Sequence, residues 1–441
     1  MKVALKNLGC VKNQVDAEFL LGAISSAGHV ITTDFSDAEC IIVNTCGFIE
    51  SAKTESIEEI FELLKYKKEA KCKMFIVTGC LAQRYEQQLK QEMPEVDAVY
   101  GVGSIVEIKQ FIENNSAPGI STSKEGYFLN NANMPRSFIE GRFLAYTKIA
   151  DGCDNRCTYC AIPLIRGPYR SRTTEDILAE VRSNISAGIK EINLIAQDTT
   201  SYGKDLYGKR KLSSLLKDIA SIEGDFWVRI LYCYPEHIDE GLLEVIASYP
   251  KICKYIDMAV QHVHPEIVKK MNRKIDGEQI IQLIHKIRST VPGIVLRSTF
   301  IVGFPGEKIE HFTYLKNFVR EAQFDWAGVF AYSREENTPA DKMLGHKAAG
   351  TKINRQIQLT EIQNKITAKR LHRYIGKKLR VLIEERCEDT PGVYLARSPF
   401  HAPEIDGEVY ITSSEKITVG TFTDVIVTHV QGLDLIGEKK L

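Results

Sequence analysis

A chain of 441 residues is too long for one ordinary domain, and two or three are expected. A formal net charge of zero, with 44% hydrophobic and 26% charged residues, marks an ordinary globular protein and gives no global electrostatic pull toward nucleic acid or a membrane. The start MKVALKNLGCVKN lacks the apolar run of a signal peptide and no stretch approaches the roughly 18 apolar residues of a membrane span, so the chain is expected in the cytoplasm without a membrane partner. There, its eleven Cys are expected as metal ligands, catalytic thiols or buried core rather than as disulfides.

From residue 1 to 138, short apolar runs alternate with amphipathic stretches: VALKNL, VDAEFLLGAISSAG, CIIVNTC, SAKTESIEEIFELLKY and MFIVTGC. This strand-helix rhythm predicts a doubly wound parallel α/β domain. Cys10, Cys46 and Cys80 each follow a predicted strand at its carboxyl end, where open α/β sheets bind ligands. Taken singly, each reads as a small buried hydrophobe. Three in equivalent places, on strands about 4.8 Å apart, point instead to a convergent trio of thiolates. Cys40 and Cys72 do not share that placement and are assigned to structure.

An irregular stretch from Glu113 to Pro135, rich in Asn, Gly and Ser, separates this region from a second, 139–374. Its predicted strands are FLAYTKIA, KEINLIAQ, FWVRILY, KYIDMAV, GIVLRSTFIVGF and WAGVFAY, with helices such as TTEDILAEVRSNISAG and DGEQIIQLIHKIRSTV between them. Six strand-helix repeats predict an incomplete (β/α)6 barrel, with its chemistry at the carboxyl ends of the strands. The loop after the first strand, DGCDNRCTYCAIP, places Cys153, Cys157 and Cys160 with three and then two residues between them. Three such thiolates hold three irons of a four-iron, four-sulfur cluster and leave the fourth iron open. The other reading is a structural zinc knuckle, but a closed zinc site takes four ligands and no Cys or His follows within zinc-finger distance. Thr351 to Tyr374 reads as a basic amphipathic linker helix with Ile353, Ile357 and Ile366 buried. Cys233, Cys253 and Cys387 match no ligand position and are assigned to packing.

From 375 to 441 the pattern shortens to KKLRVLIEER, GVYLARS, GEVYITSS and TFTDVIVTHVQG, which predicts a small all-β barrel. Barrels of this kind that bind RNA need a basic surface. Eight Lys and Arg stand here against eleven Asp and Glu, net −3, which favours a basic protein partner over tRNA.

CxxxCxxC with Tyr159 before its last Cys resembles the signature of radical S-adenosylmethionine (SAM) enzymes. That resemblance implies that the open iron chelates the amino and carboxylate groups of SAM. One electron then cleaves SAM to methionine and a 5′-deoxyadenosyl radical, with Tyr159 against the adenine. LGCVKNQVDAE, NTCGFIESAK, GCLAQRY, GCDNRCTYCAIPLIRGPYRSR, FIVGFPGE and HAPEIDGEVYI together span essentially the whole chain and are similar to the methylthiotransferases. Their parts are an amino-terminal cluster domain, a radical SAM barrel and a TRAM domain. This implies two [4Fe-4S] clusters, with Cys10, Cys46 and Cys80 holding the second, and two SAM molecules, one as methyl donor and one as radical source.

LGC followed by KN and VDAE, together with APEIDG, resembles the ribosomal-protein branch rather than the tRNA branch. That branch methylthiolates the β-carbon of an aspartate in small-subunit ribosomal protein S-twelve. The resemblance further implies an electron donor such as flavodoxin or ferredoxin and a basic protein substrate met through the TRAM domain. The chain departs from the family wording at Val11, where Pro is common, and at His401, where an acidic residue is more typical; neither is a cluster thiol. Thr299, Ile301, Gly303 and Glu307 resemble a SAM contact motif, although a Gly-Pro turn would also read GFPGE. Gln197 and Gln261 end predicted strands and are candidates to hydrogen-bond SAM, or else solvated loop amides. Arg172 is a candidate partner of the SAM carboxylate, or else a surface Arg.

Overall fold

A computed structural model of the protein describes residues 1–114, 120–121, 129–139 and 143–439. Of the irregular stretch expected from Glu113 to Pro135, residues 115–119 and 122–128 lie outside the described set. The chain forms two compact units, one of 1–141, 146–180 and 333–341, the other of 142–145, 181–332 and 342–441.

The first unit opens with β1 (Lys2–Asn7), α1 (Val11–Ser26), β2 (Val30–Ile31), β3 (Cys40–Thr45), α2 (Glu50–Glu69), β4 (Met74–Gly79), α3 (Cys80–Glu92), β5 (Ala98–Tyr100), α4 (Ile105–Asn114) and β6 (Ile120–Ser121). The six strands form one parallel sheet in the order β2-β1-β3-β4-β5-β6. Its central strands CIIVNT and MFIVTG are wholly buried, as strands covered on both faces must be. Helix α2 buries Ile60, Leu63 and Leu64 on one stripe and turns its acidic residues outward. Strand order reverses between β1 and β3, and at such a switch point the loops at the carboxyl ends part to make a ligand crevice. Sequence reading finds three of these strands; the two-residue β2 and β6 and the three-residue β5 are too short to carry a periodic signal.

The chain continues through β7 (Leu144–Lys148), β8 (Ala150–Asp151), α5 (Ile162–Arg166), β9 (Arg170–Ser171) and α6 (Thr174–Ser186). β8 and β9 pair antiparallel, Ala150 with Ser171 and Asp151 with Arg170, and close off the loop between them.

In the second unit come β10 (Glu191–Ile195), α7 (Lys204–Tyr207), α8 (Leu212–Ala220), β11 (Trp227–Ile230), α9 (Glu240–Ser248), β12 (Tyr255–Gln261), α10 (Pro265–Lys270), α11 (Gly277–Thr290), β13 (Val295–Val302), α12 (Ile309–Ala322), β14 (Trp326–Ala331) and α13 (Ala349–Leu371). Strands β11, β10 and β7, whose first two residues belong to this unit, form one sheet and β12, β13 and β14 another. Parallel bridges Val228 to Ile252 and Cys233 to Met258 join the edges, so β10 to β14 line up as an open parallel array.

Helix α13 departs from its expected face. Ile353 and Ile357 are half exposed at 52% each, whereas Arg355, Leu359, Gln363, Ile366, Thr367 and Leu371 are buried. Polar side chains win that face because strand-end groups need partners. Gln363 donates to the Phe324 carbonyl at 2.9 Å, Thr367 to the Asp325 carbonyl at 2.7 Å, and Arg355 meets the Glu307 carboxylate at 3.1 Å.

The chain ends in β15 (Lys378–Arg386), β16 (Val393–Arg397), β17 (Val409–Thr412), β18 (Phe422–Gln431) and β19 (Asp434–Glu438), a closed barrel ordered β15-β16-β17-β19-β18. The loop before β17 turns inward. His401 and the side chain of Asp406 are fully buried, and Arg397 lies between Glu384, at 2.6 Å, and barrel residue Glu191, at 2.7 Å. Arg229 meets the same Glu191 at 2.8 Å, and Asp406 accepts from Tyr255 at 2.6 Å. His401 and the APEIDG segment therefore hold the β-barrel to the α/β barrel.

Burial pushes the imidazoles of both His262 and His401 down from 6.5 to about 3. Each stays neutral in the folded chain while its unfolded counterpart takes up a proton, so stability is lost as pH falls through the unfolded value. From about pH 6.5 to about pH 5 the loss is about 2 kcal/mol per imidazole. Asp406, raised by burial to about 6, works in the opposite sense and offsets part of this. Urea midpoints of the full chain should fall between those pH values, and His401→Gln should flatten the slope; an unchanged slope would mean that His401 titrates normally in the fold.

Candidate functional site

Cys10 precedes α1 as its cap, Cys46 follows β3, and Cys80 is the first residue of α3. All three thus sit at the carboxyl ends of neighbouring strands, two of them flanking the switch point, and two at the amino ends of helices, where the dipole favours a thiolate. Gly9, with φ of +91°, carries the chain past Cys46 so closely that a Cβ there would lie 2.7 Å from the Cys46 Cβ. Only glycine fits both that conformation and that approach. Burial pushes the Cys46 thiol up to about 12 and also raises Cys80, with the neighbouring thiols adding to both. Cys46 and Cys80, desolvated in this way, stay protonated unless positive charge arrives, and bound iron would supply that charge.

Cys153, Cys157 and Cys160 share one loop closed by the β8–β9 pair. The Cys153 amide donates to the Gly167 carbonyl at 3.2 Å and the Cys160 amide to the Cys157 carbonyl at 3.1 Å. Gly152, at φ of +80°, brings the loop base against Pro168, whose carbonyl oxygen would be 2.0 Å from a Cβ. Burial is the main cause raising the Cys160 thiol, with Cys157 and Cys153 adding to it. Tyr159 is half-buried in the same loop. Among the described residues no three Cys, His, Asp or Glu side chains gather closely enough for a single metal ion. In a cluster each thiolate binds a different iron, which asks for wider spacing than a zinc knuckle does. The donor sets, two groups of three soft thiolates, fit iron–sulfur clusters.

The two trios adjoin. Cys80 packs in one apolar cluster with Val102 and with Ala161 and Ile165, the residues just past Cys160. Between them lies Arg166, the last residue of α5, 1% exposed. Its guanidinium reaches Asp16 and Asp151 at 3.0 Å, the Asn13 side-chain oxygen at 2.7 Å and the Cys80 sulfur at 3.8 Å. Lys148 joins the two aspartates. Sequence reading misses Arg166, because an Arg inside a loop motif looks no different from any surface Arg.

In the second unit Gln197 follows β10, Gln261 closes β12, Thr299 and Ile301 lie on β13, and Gly303 begins the turn after it, all at carboxyl ends of barrel strands. Gln261 adopts φ of +70°, uncommon for a residue with a side chain, and its buried side-chain oxygen finds no partner among the described residues. An orphaned buried acceptor at a barrel mouth fits a polar ligand such as SAM. Glu307 is spent differently. Fully buried, it accepts from the Gly303 and Phe304 amides and pairs with Arg355, and so holds the GFPGE turn in shape. Arg172 is 3% exposed, with its guanidinium on Asp176 and Glu180, so the surface reading fails. Its charge is spent inside the fold.

Cys40, Cys72, Cys233 and Cys253 are buried in the core as expected, while Cys387 is only partly covered. No helix among the described residues is long and apolar enough to cross a membrane.

Comparison with known proteins finds three family models along the chain. Residues 2–101 match the uncharacterised protein family UPF0004, 147–319 the radical SAM superfamily and 375–439 the TRAM domain. The ribosomal protein uS12 methylthiotransferase RimO of Clostridioides difficile (strain 630) is 47% identical over 439 residues, covering 99% of this chain and 98% of the relative. That of Desulforamulus reducens is 45% identical over 439 residues, 99% of each chain. Among solved structures, the radical SAM methyltransferase TsrM from Kitasatospora setae aligns over 77% of this chain and 74% of its own, with a TM-score of 0.57 at 15% identity, a likeness of fold. Full-length identity at this level shows that the chain belongs to the RimO family of ribosomal protein uS12 methylthiotransferases, within the radical SAM superfamily.

Proposed function

We propose that the protein methylthiolates the β-carbon of an aspartate in ribosomal protein uS12, in the cytoplasm, with two [4Fe-4S] clusters and two molecules of SAM per turnover. The observation that carries this reading is the pair of adjoining cysteine trios in one compact unit. A single trio would serve SAM cleavage alone; a second, set at the switch point beside it, provides a place from which sulfur can be delivered.

In this reading Cys153, Cys157 and Cys160 hold the SAM cluster and leave one iron for the cosubstrate, with Tyr159 against its adenine. Gln197, Gln261, Thr299 and the Gly303 turn, held by Glu307, bind SAM from the barrel strands. Cys10, Cys46 and Cys80 hold the sulfur-delivering cluster. When bound, these groups would pass on the electron and supply the hydrogen-abstracting radical and the sulfur. The chain's own work is to position them and exclude water, since no side-chain base need act on a carbon that loses hydrogen as an atom. A small redox protein of the flavodoxin or ferredoxin kind supplies the electron.

The net −3 charge of 375–441 favours a basic ribosomal protein over tRNA as the substrate, because complementary charge speeds encounter and rejects like-charged partners. A competition assay tests it. Offered uS12 and an isopentenylated tRNA together, the reduced, reconstituted enzyme should add SCH3 only to uS12, read by mass spectrometry of both. Modification of the tRNA alone would overturn the substrate assignment and leave the radical SAM assignment standing.

A further inference from the structure

Arg166 is reached by no step of the chemistry above, yet it is among the largest fully buried side chains of the molecule. It comes from the helix that follows the Cys153–Cys160 loop, but its guanidinium points at the other trio. One nitrogen meets Asp16 and Asp151; the second meets the Asn13 side-chain oxygen at 2.7 Å and the Cys80 sulfur at 3.8 Å. Asn13 in turn accepts from the Cys80 thiol at 3.3 Å and donates to the Leu8 and Thr45 carbonyls, at the ends of the loops that carry Cys10 and Cys46. Lys148 balances one of the two aspartates and Arg166 the other, through a single nitrogen of its fork, which leaves the second nitrogen to Asn13 and the sulfur.

We propose that Arg166 is a positioning residue of the amino-terminal cluster: its guanidinium holds the Cys80 loop against the SAM-cluster loop and places a fixed positive charge and hydrogen-bond donor on the Cys80 sulfur. This rests on the assignment of Cys10, Cys46 and Cys80 as cluster ligands. A donor and positive charge at a ligand sulfur stabilise the reduced, more negative cluster and raise its reduction potential. Because the donor belongs to the helix behind Cys160, the spacing of the two clusters also depends on one side chain. Lysine keeps the charge but not the planar fork.

The test uses the full-length reconstituted protein and reads iron content and the reduction potential of each cluster by electron paramagnetic resonance, with C153A/C157A/C160A as the background in which the amino-terminal cluster is seen alone. Arg166→Gln should shift that cluster to a more negative potential, or lower its occupancy, and leave the SAM cluster at its wild-type potential in the Cys10-, Cys46- and Cys80-intact chain. Arg166→Lys should recover occupancy and part of the shift. Unchanged potential and occupancy of the amino-terminal cluster in Arg166→Gln would overturn the proposal. So would loss of both clusters in Arg166→Lys and Arg166→Gln alike, since the side chain would then serve the fold as a whole. The ligand assignment fails by a different result: C10A/C46A/C80A retaining all its iron.

Discussion

Anaerobic reconstitution should load roughly eight irons per chain, four in each cluster. Changing Cys153, Cys157 and Cys160 together to Ala should halve that number and abolish SAM cleavage, and with it all methylthiolation. Changing Cys10, Cys46 and Cys80 should also halve the iron and abolish methylthiolation, but SAM cleavage without product should persist. The asymmetry follows from which trio shares a loop with Tyr159. Folding should survive both changes, since each replaces a small thiol by a methyl group and the sheet beneath the amino-terminal trio is closed by Ile41, Ile42, Val43, Ile76 and Val77, all fully buried. Iron, cleavage product and methylthiolated peptide are measured separately, by colorimetry, chromatography and mass spectrometry. Retention of all the iron by either triple variant would remove that trio from the cluster ligands.

The features legible in the sequence are those with a local signature. CIIVNT and MFIVTG read as buried parallel strands because each is a run of apolar, largely branched residues, and the structure buries every residue of both, with Asn44, Thr45 and Thr78 donating to the Asn13, Thr78 and Gly101 carbonyls. The trio in DGCDNRCTYC is legible from its spacing, and Cys10, Cys46 and Cys80 from their common place after a strand. What escapes is set by partners distant along the chain. Arg166 has its meaning from Asn13 and Asp16, some 150 residues earlier. Strand β19, DLIGE, looks like a turn, yet it pairs with β17 and β18 to close the barrel. The buried face of α13 is not legible from apolarity alone: Ile366 is buried but Ile353 and Ile357 are not, while Gln363 and Thr367 are buried to satisfy the Phe324 and Asp325 carbonyls just before β14.

Burial of Arg397, Ser398, His401 and the Asp406 side chain changes how the carboxyl-terminal barrel can be studied. Deleting it would strip Glu191 of Arg397 and Tyr255 of Asp406, leaving polar groups exposed on a face built to be covered, so loss of activity on deletion would say little about substrate recognition. A point change is sharper. Glu191 is fully buried between Arg229 and Arg397, and both guanidiniums hold its carboxyl below the usual range against the opposing cost of burial. Removing one partner of such a group leaves buried charge uncompensated, a loss of about 3 to 5 kcal/mol. Glu191→Gln should therefore lower the urea midpoint of the second unit strongly, whereas Glu191→Gln with Arg397→Met should cost less than the sum of the two single changes. The protein's two tryptophans report this directly. Trp227 lies against Phe422, with ring centroids 4.6 Å apart, and the Trp326 indole donates to the Phe400 carbonyl at 3.2 Å, so both sense the barrel they touch. Their fluorescence should shift to the red as docking is lost. A wild-type midpoint in Glu191→Gln would mean that apolar packing around Trp227 and Trp326, and not the ion network, holds the two barrels together.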